Sequence, residues 1–340
     1  MGAMRIGLIG YGGAGRGIHA RLARAAGQQV THVVTGRRAD QVAEDWPDAV
    51  TVPDVDALLA HVDDLDLVVV ASPSGDHAEH ALAALAAGAH VLVDKPLATT
   101  TADAERLAAA ADGRLTVFQN RRWDPEQLAL VNLLTSGELG TVHRFERRWE
   151  RYRPQPQNRW KENDVEAGGL LLDLGAHLVD SAVQLFGPVR SVYAELRSLT
   201  TPAVDDVFLA VTHDGGVISH LQAGALTGAP GPRTRVLGSG GAYLVTSYEG
   251  EPTPFAALDD AYEESRRPGE PEHEGWLVRG SDRTPVPRPA GGHGDIYPTL
   301  ARWVAGDAPV PVDPADAVAT ARTLDAARVS AAEGRAVALD

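Results

Sequence analysis

The residues GYGGAG, Gly10 to Gly15, directly follow the apolar run Arg5–Ile9. No other feature limits so tightly what the chain can fold into. Gly10, Gly12 and Gly15 carry the G-x-G-x-x-G spacing. The first glycine of such a turn permits a sharp passage from strand to helix. The second lets the backbone approach a pyrophosphate, and the third lets helix pack closely on strand. The phosphates rest on the helix N-terminus. The spacing alone is a weak signal, and its surroundings strengthen it. A strand-like run precedes it, an Ala-rich helical stretch follows at residues 19–26, and a second β-like run comes at 30–35. Tyr11, Gly13 and Ala14 complete the segment expected to wrap a dinucleotide.

From residue 5 to about 120, short apolar runs alternate with Ala/Leu-rich stretches. The runs are Arg5–Ile9, 30–35, 67–71, 90–93 and Leu115–Phe118, and they are continuous rather than alternating, as buried parallel strands are. Helical stretches fall at 78–87 and 103–111. This is a βαβ succession, and it predicts a doubly wound parallel sheet with helices on both faces. Beyond residue 122 the pattern changes. A helical stretch at 125–136 precedes alternating runs at 142–149, 189–196, 207–212, 217–222 and 234–237, interrupted by one helix at 169–186. Grouped strands with few helices predict an α+β domain built on a mostly antiparallel sheet. Residues 249–294, rich in Pro, Gly and Glu, read as loops, and a final helix starts after Pro314 and runs to about Glu333. The expected division is therefore a dinucleotide-binding domain over 1–122 and a substrate-binding and oligomerisation domain over 123–340.

Composition excludes several classes of function. Acidic residues outnumber basic ones, 46 to 31, for a net charge of -15. That field disfavours nucleic acid and anionic membranes as partners. With no cysteine, disulfides, thiolate catalysis and zinc–thiolate sites are all ruled out. No apolar segment reaches transmembrane length and no signal peptide is read, so the expected compartment is the cytoplasm.

Four further constellations carry chemistry. At the end of the second run, Val33-Val34-Thr35-Gly36-Arg37-Arg38 lacks the acid that would bond a ribose 2′-hydroxyl. A hydroxyl at Thr35 followed by the guanidinium groups of Arg37 and Arg38 suits a 2′-phosphate, which favours NADP, with NAD as the second choice. The competing reading makes both arginines solvated loop charges. Ser72, Pro73 and His77 follow the third run, where nucleotides bind beyond strand ends. They equally suit an ordinary turn and helix cap. Lys95 ends the fourth run, placed to hold a substrate oxygen or to be a solvated surface charge. Finally, Asp173, His177 and Asp180 recur at helical spacing on an otherwise apolar stretch. Histidine can pass a hydroxyl proton with a carboxylate near it, and it can also be a satisfied core residue. A metal site is not expected, since no third ligand cluster completes a shell.

Taken together, GYGGAG, Ala71-Ser72-Pro73-Ser74-Gly75-Asp76-His77, Asp94-Lys95-Pro96 and Asp173-Leu174-Gly175-Ala176-His177-Leu178-Val179-Asp180 resemble, in order, the four signatures of the glucose-fructose oxidoreductase / inositol dehydrogenase family, Gfo/Idh/MocA. Serine stands at 72 where that family has threonine, and aspartate at 94 where it has glutamate. The resemblance implies Lys95, Asp173 and His177 as the catalytic set. It also implies an open sheet in the second domain that forms dimers or tetramers. Phe118-Gln119-Asn120-Arg121-Arg122-Trp123-Asp124, Arg151-Tyr152-Arg153-Pro154 and Arg159-Trp160 resemble the NADP-dependent scyllo-inositol dehydrogenase branch. Asn120, Arg121, Trp160 and His177 are then the candidate substrate contacts. The expectation is a dehydrogenase of a cyclic polyol or sugar. A non-catalytic sugar sensor and an NAD-dependent glycosidase of the same fold are the alternatives.

Overall fold

A computed structural model describes residues 2–246 and 273–339. The chain divides into two compact units, and among the described residues the first comprises 2–120 and 292–318, the second 121–246, 273–291 and 319–339.

In the first unit six strands form one sheet: β1 (Arg5–Ile9), β2 (Gln29–Val34), β3 (Val50–Val52), β4 (Leu67–Val70), β5 (Val91–Asp94) and β6 (Leu115–Phe118). All pair in parallel, in the order β3-β2-β1-β4-β5-β6. This is the doubly wound order whose halves diverge from the centre. β4 and β6 are buried at every position, as strands covered on both faces must be. The short edge strand β3 escapes the sequence pattern because only Val52 of its three residues is buried.

The segment Gly292–Val318 belongs to this first unit, although the sequence division puts it in the second half. Its helix Ile296–Val304 buries Ile296, Tyr297, Leu300 and Trp303. The Trp303 indole N–H donates to the Gly113 carbonyl at 3.2 Å. Thr116 and Val312 exchange two hydrogen bonds, at 3.0 and 3.1 Å. These long-range ties override sequence proximity.

The second unit carries a nine-stranded sheet: β7 (Val142–Glu150), β8 (Val189–Arg197), β9 (Asp206–His213), β10 (Ile218–Gly224), β11 (Thr234–Gly238), β12 (Gly241–Val245), β13 (His273–Arg279), β14 (Asp282–Pro287) and β15 (Val337–Ala338). Their order is β14-β13-β12-β11-β7-β10-β9-β8-β15. Only β7 and β10 pair in parallel, so the sheet is mixed and mostly antiparallel. Its buried face packs on the helices Pro125–Thr135 and Ala176–Phe186, through Leu130, Leu133, Leu178 and Val179 against Val207, Leu209 and Leu221. The loop reading of 249–294 needs correction: β13 and β14 form a hairpin there, and 247–272 lie outside the described residues. Pro285 and Pro287 hid it. β14 is an edge strand, where a residue without an N–H costs no ladder bond on the open side.

A buried charge cluster fixes the core of this unit. Glu126, Arg147 and Arg233 are all under 10% exposed. Arg233 Nε donates to Glu126 Oε2 at 2.7 Å, and Arg147 Nη2 stands 3.3 Å from Oε1. The Thr234 hydroxyl also donates to Glu126, and Arg147 reaches Thr234 Oγ1 at 3.0 Å and Gln127 Oε1 at 2.6 Å. Burial pushes the Glu126 carboxyl up, but Arg147 and Arg233 outweigh it and hold the group below its usual range. Glu126→Gln is expected to destabilise the fold by about 3–5 kcal/mol, because it strands two buried guanidinium groups. The folded-state pKa lies below the unfolded one. The stabilisation is therefore present above the ordinary glutamate range and lost as pH falls through the folded-state value. Urea unfolding of both proteins across acidic pH checks this, and the difference between them should shrink on acidification.

Candidate functional site

The four glycines of the first unit's turn fall into two different environments. Gly10 has φ +92°, and a Cβ there would sit 2.7 Å from the Ala71 carbonyl oxygen. A Cβ on Gly15 would overlap the Gly10 carbonyl. These two glycines are required by packing. At Gly13 a Cβ would meet nothing within 4 Å, and at Gly12 it would meet only Arg38 Nη1, at 3.8 Å. The rim of the turn is therefore open, and its backbone can be approached closely. The helical segment beyond it begins with a π turn, Gly15–Ala20, before Arg21–Ala25. An open glycine rim ahead of a helix start is the cradle a pyrophosphate needs. The residues present fit a dinucleotide.

A brace that sequence reasoning missed holds this turn. The Tyr11 hydroxyl donates to Asp45 Oδ2 at 2.7 Å, and Arg16 grips both oxygens of Asp45 at 2.6 and 3.1 Å. Arg16, through its hydrogen bond, holds the Asp45 carboxyl below the usual carboxylate range. Burial, together with Asp45, raises the Tyr11 phenol. The members lie 29 to 34 positions apart, so no local pattern reveals them. Beyond β2, Thr35 is half-buried while Arg37 and Arg38 are exposed. Arg38 Nη1 donates to the Tyr11 carbonyl at 2.6 Å, so this arginine is pinned beside the turn and is not a loose loop charge.

Ser72 and Pro73 follow β4, and the Ser72 hydroxyl lies 3.0 Å from His80 Nδ1. His77 is fully buried. Its Nδ1 lies 2.8 Å from the Pro96 carbonyl and its Nε2 3.0 Å from the Ser72 carbonyl. Burial pushes this imidazole pKa down, and a neutral ring donates to one carbonyl at a time. His77 thus links the loop after β4 to the loop after β5. Lys95, half-buried, begins that second loop, and its backbone N–H donates to Asp94 Oδ1 at 2.9 Å. Burial raises the Asp94 carboxyl, but His19, Lys95 and His77 more than offset it and keep the group below its usual range. Asn120, buried, follows β6.

The remaining candidates stand in the second unit. The 169–186 helix is not uniform: Leu171–Gly175 is a π turn, and the α-helix Ala176–Phe186 follows. Asp173 lies in the π turn and His177 in the first α turn. Single π turns occur frequently at functional sites. Asp173 Oδ2 accepts from Lys161 Nζ at 2.5 Å. His177 is 6% exposed, and its ring lies 5.6 Å from that of Trp149. Asp180 is engaged elsewhere, gripped by Arg122 through two hydrogen bonds at 2.9 and 2.6 Å. Arg121 stacks over Trp149 at 4.9 Å and donates to Asp124 at 3.1 Å, while Trp160 is 51% exposed. Sequence reasoning misses Lys161 because its partner lies 12 positions away, outside any periodic signal.

Comparisons with known proteins agree with this geometry. The pattern of the Gfo/Idh/MocA oxidoreductase family with its NAD-binding Rossmann fold matches residues 4–120, and that of the family's C-terminal domain matches 128–244. The chain is 31% identical to scyllo-inositol 2-dehydrogenase (NADP(+)) IolW of Bacillus subtilis, over 99% of its own length and 96% of that relative's. The solved structure of YvaA from Bacillus subtilis has a TM-score of 0.85 at 30% identity, covering 100% of this chain and 99% of that one. GenD2 from gentamicin A biosynthesis, solved in complex with NAD, has a TM-score of 0.79 at 27% identity, covering 100% and 97%. With the strand order β3-β2-β1-β4-β5-β6 and the open glycine turn already in place, these matches make the chain a member of the Gfo/Idh/MocA family of oxidoreductases.

Proposed function

We propose that this chain is an NADP-dependent dehydrogenase of a cyclic polyol or sugar, acting in the cytoplasm. The observation that carries the reading is the open rim at Gly12 and Gly13 with two arginines, and no acid, beyond β2. The 31% identity to an NADP-dependent scyllo-inositol dehydrogenase over nearly the whole chain supports it. Gly10 to Gly15 hold the pyrophosphate, with Ser72 and Pro73 lining the nucleotide. His77 supports that lining through the Ser72 carbonyl. Thr35, Arg37 and Arg38 take the 2′-phosphate. When bound, the cofactor would supply a nicotinamide able to take a hydride from the substrate carbon. His177 takes the proton of the reacting hydroxyl and returns it in the reverse direction. Lys95 donates a hydrogen bond to the same oxygen and stabilises charge as it develops. Asp173 supplies a fixed negative charge one turn before the imidazole. Asn120, Arg121 and Trp160 contact the remaining hydroxyls. We propose also that the chain self-associates through the outer face of the nine-stranded sheet. Phe208, Ile218, Leu237 and Leu244 lie half-buried there, where alternation turns them away from the core.

Binding titrations test the cofactor assignment. Arg37→Ala should weaken NADP by roughly 10- to 150-fold, the worth of a charge-assisted hydrogen bond, and leave NAD nearly unchanged. Gly12→Ala should weaken both nucleotides without lowering the melting temperature, because only the open rim is filled. Tighter binding of NAD than NADP by the parent protein would sink the 2′-phosphate assignment.

Steady-state kinetics on scyllo-inositol, myo-inositol and an aldose panel test the chemistry. His177→Ala should cut turnover by about 10²- to 10⁴-fold, the usual contribution of general acid–base catalysis. Cofactor affinity should stay near that of the parent. Full turnover in that variant would remove His177 from the reaction. Light scattering should give a mass that is a multiple of the single chain, and an Arg or Glu at Phe208 should lower it; a monomeric parent would end the assembly proposal.

A further inference from the structure

Lys161 has no place in the signatures that identify the family, yet it makes a short ionic contact with one of their residues. Its ammonium lies 2.5 Å from Asp173 Oδ2, and both side chains are less than one-third exposed. The surrounding loop is built to present it. Arg159 caps the short helix Trp160–Asn163 by gripping Glu162, with Nε at 2.9 Å and Nη2 at 2.7 Å. Asp164 Oδ1 accepts from the N–H groups of Glu166 and Ala167 at 3.0 and 2.8 Å, and the Asp164 carbonyl accepts from Gly168 at 3.0 Å. A Cβ on Gly168 would come 2.5 Å from the Lys161 carbonyl oxygen. The chain therefore closes too tightly for any side chain at 168, and this closure carries Lys161 to the π turn Leu171–Gly175.

We propose that Lys161 is a positioning residue, whose ammonium fixes Asp173 as an anion in the π turn immediately before His177. The inference rests on the dehydrogenase reading for its consequence in turnover, and on geometry alone for the ion pair. Lys161 and Asp173 line the same open pocket. The other charged groups lining it are Arg153, Arg159, Glu162 and Asp205. Glu162 is engaged by Arg159. Asp205 accepts from the backbone N–H groups of Leu199 and Thr200 at 2.6 and 2.7 Å, and from the Thr200 hydroxyl at 2.5 Å. β10, on the other side, turns only the uncharged Ser219, Leu221 and Ala223 to the core. On the helix that follows the π turn, the His177 ring lies 5.6 Å from that of Trp149. Lys161 stands within hydrogen-bond reach of Asp173, with Nζ 2.5 Å from Oδ2. An opposite charge this close lowers a carboxyl pKa by roughly 1–3 units when buried, and by less where water reaches it.

The test has two readouts. The side-chain carboxyl of Asp173, followed by carbon NMR in aspartate-labelled protein and identified by its loss in Asp173→Asn, gives a titration midpoint without any substrate. Lys161→Met should raise that midpoint by about one unit, and Lys161→Arg should leave it near the parent value. The acid limb of scyllo-inositol oxidation, set by protonation of the His177 base, should also move upward in Lys161→Met, because the Asp173 charge near the imidazole is no longer offset by the ammonium, and return in Lys161→Arg. Should Lys161→Met fold poorly, Lys161→Gln reads the same midpoint. A midpoint that does not move overturns the proposal. So does a moved midpoint with an unmoved acid limb, or a turnover loss equal at every pH, which marks simple structural support. A parent protein with no turnover on the polyol panel would instead sink the dehydrogenase reading, and the midpoint would still decide the ion pair.

Discussion

The first unit depends on one close approach. The Gly10 backbone passes so near Ala71 and Gly15 that no side chain fits at either glycine. That contact brings the helical segment after β1 down onto the sheet and aligns it with the loop after β4. It also leaves Gly12 and Gly13 at the rim, where a Cβ would clash with nothing, so packing does not demand glycine there. Glycines that packing requires and glycines that it does not thus stand only a few positions apart. The Tyr11–Asp45–Arg16 brace then keeps the turn from shifting, through three hydrogen bonds that converge on one carboxylate.

The second unit solves a different problem. It must hold polar residues inside an apolar sheet-and-helix layer, and it does so by pairing nearly every one of the charges it buries. Glu126 meets Arg147 and Arg233, Asp180 meets Arg122, and Glu146 meets Arg148 and Arg235. Removing one partner from such a set costs more than the pair contributes. The Arg122–Asp180 pair has a positional effect as well. It ties the turn Asn120–Trp123, at the entry to this unit, to the helix that carries His177.

Much of this is legible in the residues. β1 and β6 lie where the apolar runs put them, and β7 to β11 fall within a residue or two of the alternating runs. The glycine turn and the two-class architecture follow from those same runs. What is hidden has more than one cause: exposure, prolines within a strand, and partners far apart in sequence that leave no periodic trace. β3 has one buried residue, β13 and β14 follow a Pro/Gly-rich stretch, and the helix Ile296–Val304 joins the first unit from the far end of the chain. The stripe Asp173–His177–Asp180 stands out in the sequence as polar on an apolar helix. Spacing alone does not show that a π turn interrupts it, nor that Asp180 is committed to Arg122.

Arg38, to which we assign part of the 2′-phosphate site only as a proposal, also has a structural use for its guanidinium. One of its nitrogens is spent on the Tyr11 carbonyl at 2.6 Å, so the residue is a strut of the turn before it is a ligand of anything. A redesign that placed a carboxylate at 38 would set two acceptors face to face with no proton between them. The turn would lose its strut in the same step that changed the charge. If the proposed 2′-phosphate site holds, retargeting it is a matter for positions 35 and 37, and two neighbouring arginines that look interchangeable in the sequence differ in how freely they can change.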